Sequence, residues 1–429
     1  MNKRSALSTG IGGVLLVLLA VTAVVVVPRA GHAKHIAAKA TGHFKHPGVL
    51  VSRAQLDKVR KNIKKEPYKS AYAALRKDKL ADPARKPHPY ANVVCYPGTK
   101  PMPNAGCANE RADSLAAYAD ALVWYISKNK KYLYAAGRIM DAYSRTVKKH
   151  TGDPGNDLKA DAPLEAAWAG INFAKAAEIV RYSMPKGKKW KQAGRFGTML
   201  RKAYLPLVVN GTQKGMNGNW DLASADATIE MAVYLDDHKT FDKAIKLLRD
   251  RVPAYFYLNS DGDTPREPVD GVWGVNRYWY QCPEVAPEDL VTAPGKGGPG
   301  ECPPSVAAHY FEGQTQETCR DMKHPTYGID ATIETATTAH IQGVNLFPEL
   351  KRRLTASMEF HAKYSLQAPP ATLCGGKLAD KMLPGGLEIG YTAYHKQVNL
   401  PYTRKLIKKQ RPGTPHEFVA WDTLVWATP

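Results

Sequence analysis

From Ser52 onward, apolar side chains return at three- and four-residue spacing, the repeat that puts them on one face of a helix. Ala223, Ala227, Met231 and Tyr234 show it in one segment. The same periodicity predicts helices over Ala54 to Lys64, Pro67 to Lys79, Arg111 to Lys128, Tyr132 to Lys148, Ala162 to Tyr182, Lys186 to Tyr204, Trp220 to Leu235 and Lys239 to Arg251. Four more are expected at Thr332 to Leu346, Pro348 to Tyr364, Gly385 to Tyr394 and Pro401 to Lys409. Ser52 stands where its hydroxyl can cap the first. Period-two alternation is scarce, so strands contribute little.

Gly-, Pro- and Asn-rich loops separate these helices, and no Pro/Ser linker divides the chain. The pattern is that of one all-α domain, residues 45–429, built of antiparallel helix pairs. No fixed-period sequence repeat marks a regular solenoid. A ring of helical hairpins remains, with a cleft where inter-helix loops meet.

The length of 429 residues and a 44% apolar content allow a sizeable core and exclude disorder throughout. Net charge is +21, a surface that attracts anions: nucleic acid, anionic membrane or acidic polysaccharide. The N-terminus narrows this list. Lys3 and Arg4 precede an uncharged run from Ile11 to Val27, followed by Gly31-His32-Ala33 as a small-x-small cleavage site. Residues 1–33 are therefore expected to be an export signal, or an uncleaved anchor, ahead of a polar leader at 34–44. They carry three basic and no acidic residues, so their removal lowers the charge to +18. Export makes nucleic acid an improbable partner and leaves extracellular polyanions. Membrane contact is expected only through an uncleaved anchor.

Six cysteines suit an oxidising compartment. Cys95 with Cys107 and Cys282 with Cys302 each bracket a Pro/Gly-rich loop, which leaves Cys319 and Cys374 to join distant segments; spacing alone allows fifteen pairings. No zinc-type spacing occurs, and neither a metal nor a cofactor is expected. Asn259, Asp261 and Asp263 begin like a calcium loop, but Thr264 replaces the turn glycine, so an Asx-rich turn is the better reading.

Three segments concentrate polar and aromatic groups among the helices: 216–221, 313–328 and 388–395. Grouping Glu, Arg, Asp, Lys, His and Tyr so tightly is costly unless they face water or a ligand. Together with HPGVLVSRAQLDKVRKNI at 46–63, the segments NGNW (217–220), GQTQETCRDMKH (313–324) and EIGYTAYH (388–395) with LPYTRKLI (400–407) resemble the alginate-lyase-like superfamily of polysaccharide lyases. The similarity spans nearly the whole chain beyond the export segment, and four motifs in the right order are more specific than any one.

The resemblance implies an (α/α) toroid, an incomplete barrel of antiparallel helix pairs, and a β-elimination. In that reaction the C5 proton of a uronate is removed and the bond to O4 breaks. Abstraction builds an enolate dianion, so the enzyme must neutralise the carboxylate, supply a base and protonate the leaving oxygen. By resemblance, Arg320 holds the carboxylate and Tyr327, seven residues on, is base and acid. Helical geometry would put both on one face, and neighbouring positive charge would lower the Tyr327 pKa. Asn219 takes the place of the Asn in the family's Asn-His dyad, but Trp220 stands where His is usual. For mannuronate, the C5 proton and O4 lie on one side of the ring and a single Tyr suffices. Guluronate needs a second group on the opposite face, so loss of the His weakens that route most.

His324, between Arg320 and Tyr327, is a candidate for carboxylate neutralisation or base work. Gln316 and Glu317 are candidates for ordering the site, Trp220, Trp279 and Tyr280 for contact with sugar faces, and Tyr394 and His395 for weaker substrate contacts. The expected partner is an anionic polysaccharide. The rival readings are a non-catalytic polyanion-binding protein, favoured by Trp220, and a glycoside hydrolase using paired carboxylates from Asp221, Glu317 and Asp321.

Overall fold

A computed structural model describes residues 42–95, 105–151, 161–211, 218–267, 279 and 310–428. In chain order the helices are α1 (Arg53–Asn62), α2 (Tyr68–Lys77), α3 (Cys107–Ser127), α4 (Lys130–Thr146), α5 (Ala162–Ser183), α6 (Ala193–Met199), α7 (Leu205–Val208), α8 (Gly218–Tyr234), α9 (His238–Tyr255), α10 (Lys323–Ile341), α11 (Phe347–Leu366), α12 (Glu388–Tyr394), α13 (Pro401–Gln410) and α14 (Asp422–Trp426). Ser52 Oγ accepts the Gln55 amide at 3.2 Å and caps α1 as expected. The expected export segment and leader up to residue 41 lie outside the described residues.

Four helices decide the architecture. α3, α5 and α8 are rich in Ala and α10 in Thr and Ala, and all four are buried on nearly every side. A helix with no polar face must be surrounded. α3 packs on α5, α5 on α8 and α8 on α10; then α12, α14 and α1 carry the contacts round to α3 again. Outside this ring, α4 covers α3 and α9 covers α8, each burying one apolar stripe, such as Leu133, Ala136, Met140 and Tyr143 on α4. The buried side chains form one large core running from Phe44 to Val425, with two small satellites. Among the described residues no helix is long and apolar enough to cross a membrane.

Lys175 on α5 sits inside the ring, its ammonium donating to both oxygens of Glu334 at 2.6 Å. Asp226, Glu230, Asp330 and Asp422 surround the pair, fully buried. Burial, then mutual repulsion, pushes these four carboxyls well above the usual carboxylate range. The ring interior therefore gathers four carboxyls whose ionisation burial opposes around one ion pair.

Two expected helices shift most. The one expected over Lys186 to Tyr204 starts only at Ala193, after a turn at Gly187 (φ +79°), and passes through a π-helical turn, Leu200–Tyr204, into α7. The one expected from Thr332 starts at Lys323, because Asp321 Oδ1 accepts the amides of Lys323 (2.9 Å) and His324 (3.0 Å) and so caps it early. It ends at Ile341, before Gly343 (φ +92°) turns the chain. A short parallel pair, Asn92–Val94 beside Lys149–Thr151, and helix α14 were not expected.

Candidate active site

The N-termini of α8 and α10 meet across one ring. A Cβ on Gly218 or on Gly328 would lie 2.4 Å from the Tyr255 side chain, so only glycine lets both helices close on it. Tyr255, at the end of α9, also fixes the loop between them. Phe256 bridges Thr315, the Tyr257 amide donates to Gln314 O at 2.8 Å, and the Gln316 amide donates to Tyr255 O at 3.1 Å. Cys319 is disulfide-bonded to Cys374 and the Met322 amide donates to Ala379 O at 3.0 Å, which tie the loop from its other side. Beneath it, His361 Nε2 meets the hydroxyls of Thr315 (3.2 Å) and Thr318 (3.0 Å). Burial pushes the His361 pKa down to about 4, so the ring is neutral there.

A chain of polar contacts runs along this loop. Gln316 Oε1 accepts the Gly218 amide at 2.9 Å, which pins the start of α8. Asn219 Nδ2 donates to Glu317, a buried residue in the left-handed region at φ +63°. Glu317 Oε1 in turn accepts from Arg320 at 2.8 Å, and Asp321 Oδ2 pairs with His324 Nδ1 at 2.7 Å. The Arg320 side chain is 38% exposed, so a cation held on buried acid reaches solvent. Glu317 is thus spanned by Asn219 and Arg320.

Tyr327 lies on α10, its ring 6.2 Å from that of His324 and 5.4 Å from that of Trp168 on α5. Its hydroxyl donates to Glu417 Oε2 at 2.6 Å. Arg111 on α3 donates to Glu417 Oε1 at 3.4 Å, to both oxygens of Glu165, and lies over the Trp168 ring at 4.9 Å. Burial pushes the Glu165 carboxyl up to about 7 against the pull of Arg111. The expected lowering of the Tyr327 pKa is overturned. Burial first, then the charge and hydrogen bond of Glu417, push it far above 10, and Arg111 only partly opposes them.

Arg320 precedes α10, so it does not share a helical face with Tyr327 as the seven-residue spacing suggested. The loop and the disulfide orient it instead. Asn219, Gln316, Glu317, Arg320, His324 and Tyr327 are brought together around the starts of α8 and α10; Trp220 is half-buried and packs on the core beside them. Tyr394 and His395 belong elsewhere. Tyr394 is buried, donates to Phe347 O at 3.0 Å and packs on Phe347, itself 5.9 Å from His340 at the far end of α10. At about 1.5 Å per residue, a 19-residue helix puts that end on the order of 27 Å from Lys323. His395 stacks on Tyr391. Trp279 is buried against Tyr310, which lines a separate cavity of about 980 Å³ with Tyr257, Phe360 and Lys363. Tyr280, Cys282 and Cys302 lie outside the described residues. Cys95 and Cys107 are bonded as expected.

Arg111, Glu165, Trp168 and Glu417 were missed. The available signal was charge within Ala-rich helices that show no continuous polar face, namely Arg111 in α3 and Glu165 in α5. The carboxylates that a hydrolase would need are engaged: Asp221 accepts from Arg251 at 2.6 Å, Asp321 pairs with His324, and Glu317 is spanned as described. Asp261 is gripped by Arg353 at 2.6 and 2.7 Å rather than shaped for calcium. Asp226, Glu230 and Glu334, and Asp330, Glu334 and Asp422, bring oxygens within 4.8 Å of one another, the spacing a hard cation could span. Lys175 supplies positive charge at the same place.

The alginate lyase family model matches residues 55–269, half of the chain. That span includes Arg111, Glu165, Trp168, Asn219 and Trp220; Arg320, His324, Tyr327 and Glu417 lie beyond it. No curated protein matches the sequence. Among solved structures, alginate lyase A1-III from Sphingomonas species A1 is similar in fold, with a TM-score of 0.56 at 13% identity over 91% of this chain and 99% of that one. A variant of A1-III complexed with a tetrasaccharide gives 0.59 at 14% identity, over 91% and 98%. An alginate lyase from Bacteroides ovatus gives 0.50 at 13% identity, over 90% and 100%. The helical ring is an (α/α) toroid.

Proposed function

Because the chain belongs to the alginate lyase family, we propose that it is an exported polysaccharide lyase that cleaves an anionic β-1,4-linked polyuronate, mannuronan or glucuronan, by β-elimination. The observation that carries this reading is Tyr327 beside His324, joined through Glu417 to Arg111, with Arg320 on the loop that leads into the same helix. In the proposed reaction Arg320, Asn219 and His324 face the uronate carboxylate and stabilise the charge that develops on it. Tyr327 takes the proton from C5. The electron pair left there forms the C4–C5 double bond as the bond to O4 breaks, and Tyr327 returns a proton to O4.

One group serving both atoms requires that C5–H and O4 lie on one face, as in mannuronate and glucuronate, which share configuration at C4 and C5. Trp220 in place of the usual His removes the group best suited to the opposite face of guluronate. Trp168, beside Tyr327 and under Arg111, offers a ring on which a sugar can stack.

The test is ultraviolet absorbance of the new double bond on mannuronan, glucuronan and guluronan, with Tyr327→Phe alongside. Cleavage of the first or second, little of the third, and loss with Tyr327→Phe are expected. Absence of unsaturated ends on every polymer, or full activity of Tyr327→Phe, would refute the reading. Reducing ends without absorbance would identify a hydrolase.

A further inference from the structure

The proposed role of Tyr327 leaves a difficulty: a buried, neutral phenol is a poor base. Glu417 answers it. Its Oε2 accepts the Tyr327 hydroxyl at 2.6 Å, while Oε1 faces Arg111 at 3.4 Å, so one oxygen is directed to the phenol. Glu417 adopts φ +44°, a left-handed conformation that is unfavourable for a side chain of this kind. Three contacts hold it there. Asn172 Nδ2 donates to Glu417 O at 2.8 Å, Lys175 donates to Phe418 O at 3.3 Å, and His416 and Val419 exchange backbone hydrogen bonds at 3.0 and 2.8 Å. Strain so over-determined is characteristic of a working position.

Building on the Tyr327 reading, we propose that Glu417 is a catalytic residue, the acceptor that allows Tyr327 to act as a base. As the phenol oxygen bonds to the C5 proton, its original proton passes to Glu417 Oε2, and the C5 electron pair moves onto the uronate carboxylate. That pair then returns to form the C4–C5 double bond as the bond to O4 breaks; O4 takes the new proton from Tyr327, and Glu417 returns the stored one to the phenolate. Protons and charge balance: one proton has moved from C5 to O4, and Tyr327 and Glu417 end as they began. No phenolate has to form alone in a buried site, which is the state that desolvation opposes most.

The groups facing this pair are Arg111 from α3, Glu165 and Trp168 from α5, and Asp321, Lys323 and His324 from the start of α10. Arg111 bridges Glu417 to Glu165 and so keeps the acceptor fixed.

The experiment compares Glu417→Gln, Glu417→Asp and Tyr327→Phe in kcat and KM across pH on whichever polyuronate the wild type cleaves. Glu417→Gln keeps the shape and loses the acceptor, so kcat should fall on the order of 10²- to 10⁴-fold with little change in KM. Its remaining activity should climb towards alkaline pH, where Tyr327 ionises unaided; a purely structural loss would not change the profile in this way. Should Glu417→Gln not fold, Glu417→Asp keeps the acidic group but withdraws it, and kcat should fall while the wild-type pH profile is retained. Wild-type kcat and profile in Glu417→Gln, or wild-type kcat in Glu417→Asp where that variant must stand in, alongside an inactive Tyr327→Phe, would overturn the relay and leave the Tyr327 reading intact. An active Tyr327→Phe would remove both.

Discussion

Replacing Gly328 with Ala tests the packing that joins α8 to α10. The added Cβ would lie 2.4 Å from Cε1, Cζ and Oη of Tyr255, far inside contact distance. The ring cannot retreat, because a Cβ on Gly218 would meet the same side chain at 2.4 Å and its hydroxyl is bound to His324 O at 3.3 Å. Overpacking a filled site costs about 1–3 kcal/mol. Ala is also the better helix former by roughly 1 kcal/mol, which partly hides the clash. Gly137, inside α4, supplies the control, since a Cβ there meets nothing within 4 Å. Both substitutions gain the same helix propensity, so the difference in stability between Gly328→Ala and Gly137→Ala isolates the clash at about 1–3 kcal/mol. Thermal and urea unfolding of the pair measure it. Equal stability of the two variants would show that the Tyr255 contact does not constrain the helices.

Two further perturbations address the supports of the site. The Asp261 carboxylate is buried, which raises its pKa, but the hydrogen bonds from Arg353 and the Leu258 amide, with the charges of Arg353 and Arg266, outweigh this and lower it. Its stabilisation is therefore present above about pH 4 and is lost as pH falls through the folded value; Asp261→Asn should cost about 1–2 kcal/mol at neutral pH. A gap between wild type and variant that stays constant down to about pH 3 would contradict that assignment. Removing the Cys319–Cys374 bridge, which closes a separation of 55 residues, should cost up to about 4 kcal/mol and lower activity more than removing Cys95–Cys107, because only the former holds the Arg320 loop. Parallel Cys→Ser variants, compared by melting and by turnover, decide it.

Periodicity located most of the helices because burial of α3, α5 and α8 leaves a continuous apolar signature in the sequence. It failed at 320–331 for a local reason. The first turns of α10 carry Lys, His, Pro, Thr and Tyr, so the capping carboxylate of Asp321 marks the start and hydrophobic spacing does not. Candidate residues with neighbours in sequence, such as Arg320, His324 and Tyr327, were legible as a cluster. Glu417 was not, for it lies ninety residues from Tyr327 in a turn with no periodic pattern, and only the closure of the ring brings it to the phenol. Tyr394 and His395 erred in the opposite direction, because a polar-aromatic segment can serve the far end of the same helix equally well.

The net charge of +21 and the charge of the proposed site act at different ranges. Around Tyr327 the basic side chains do not stand alone: Arg111 faces Glu165 and Glu417, Arg320 faces Glu317, and His324 faces Asp321. A uronate carboxylate arriving there would meet two arginines and a histidine set against four carboxyl groups, so local charge is not what would draw the polymer in. On the proposed reading the lysine-rich exterior supplies that attraction, and salt screens it beyond about 8–10 Å. Inside the site each carboxylate instead fixes the direction of a donor, as Glu317 does for both Asn219 and Arg320. Donors held in place before the substrate arrives need not reorganise as charge develops on it, which is the condition under which electrostatic stabilisation contributes most to an elimination. The acidic residues at the proposed site of an enzyme for an acidic polymer thus fit the proposed chemistry: they give up attraction at short range and gain fixed geometry.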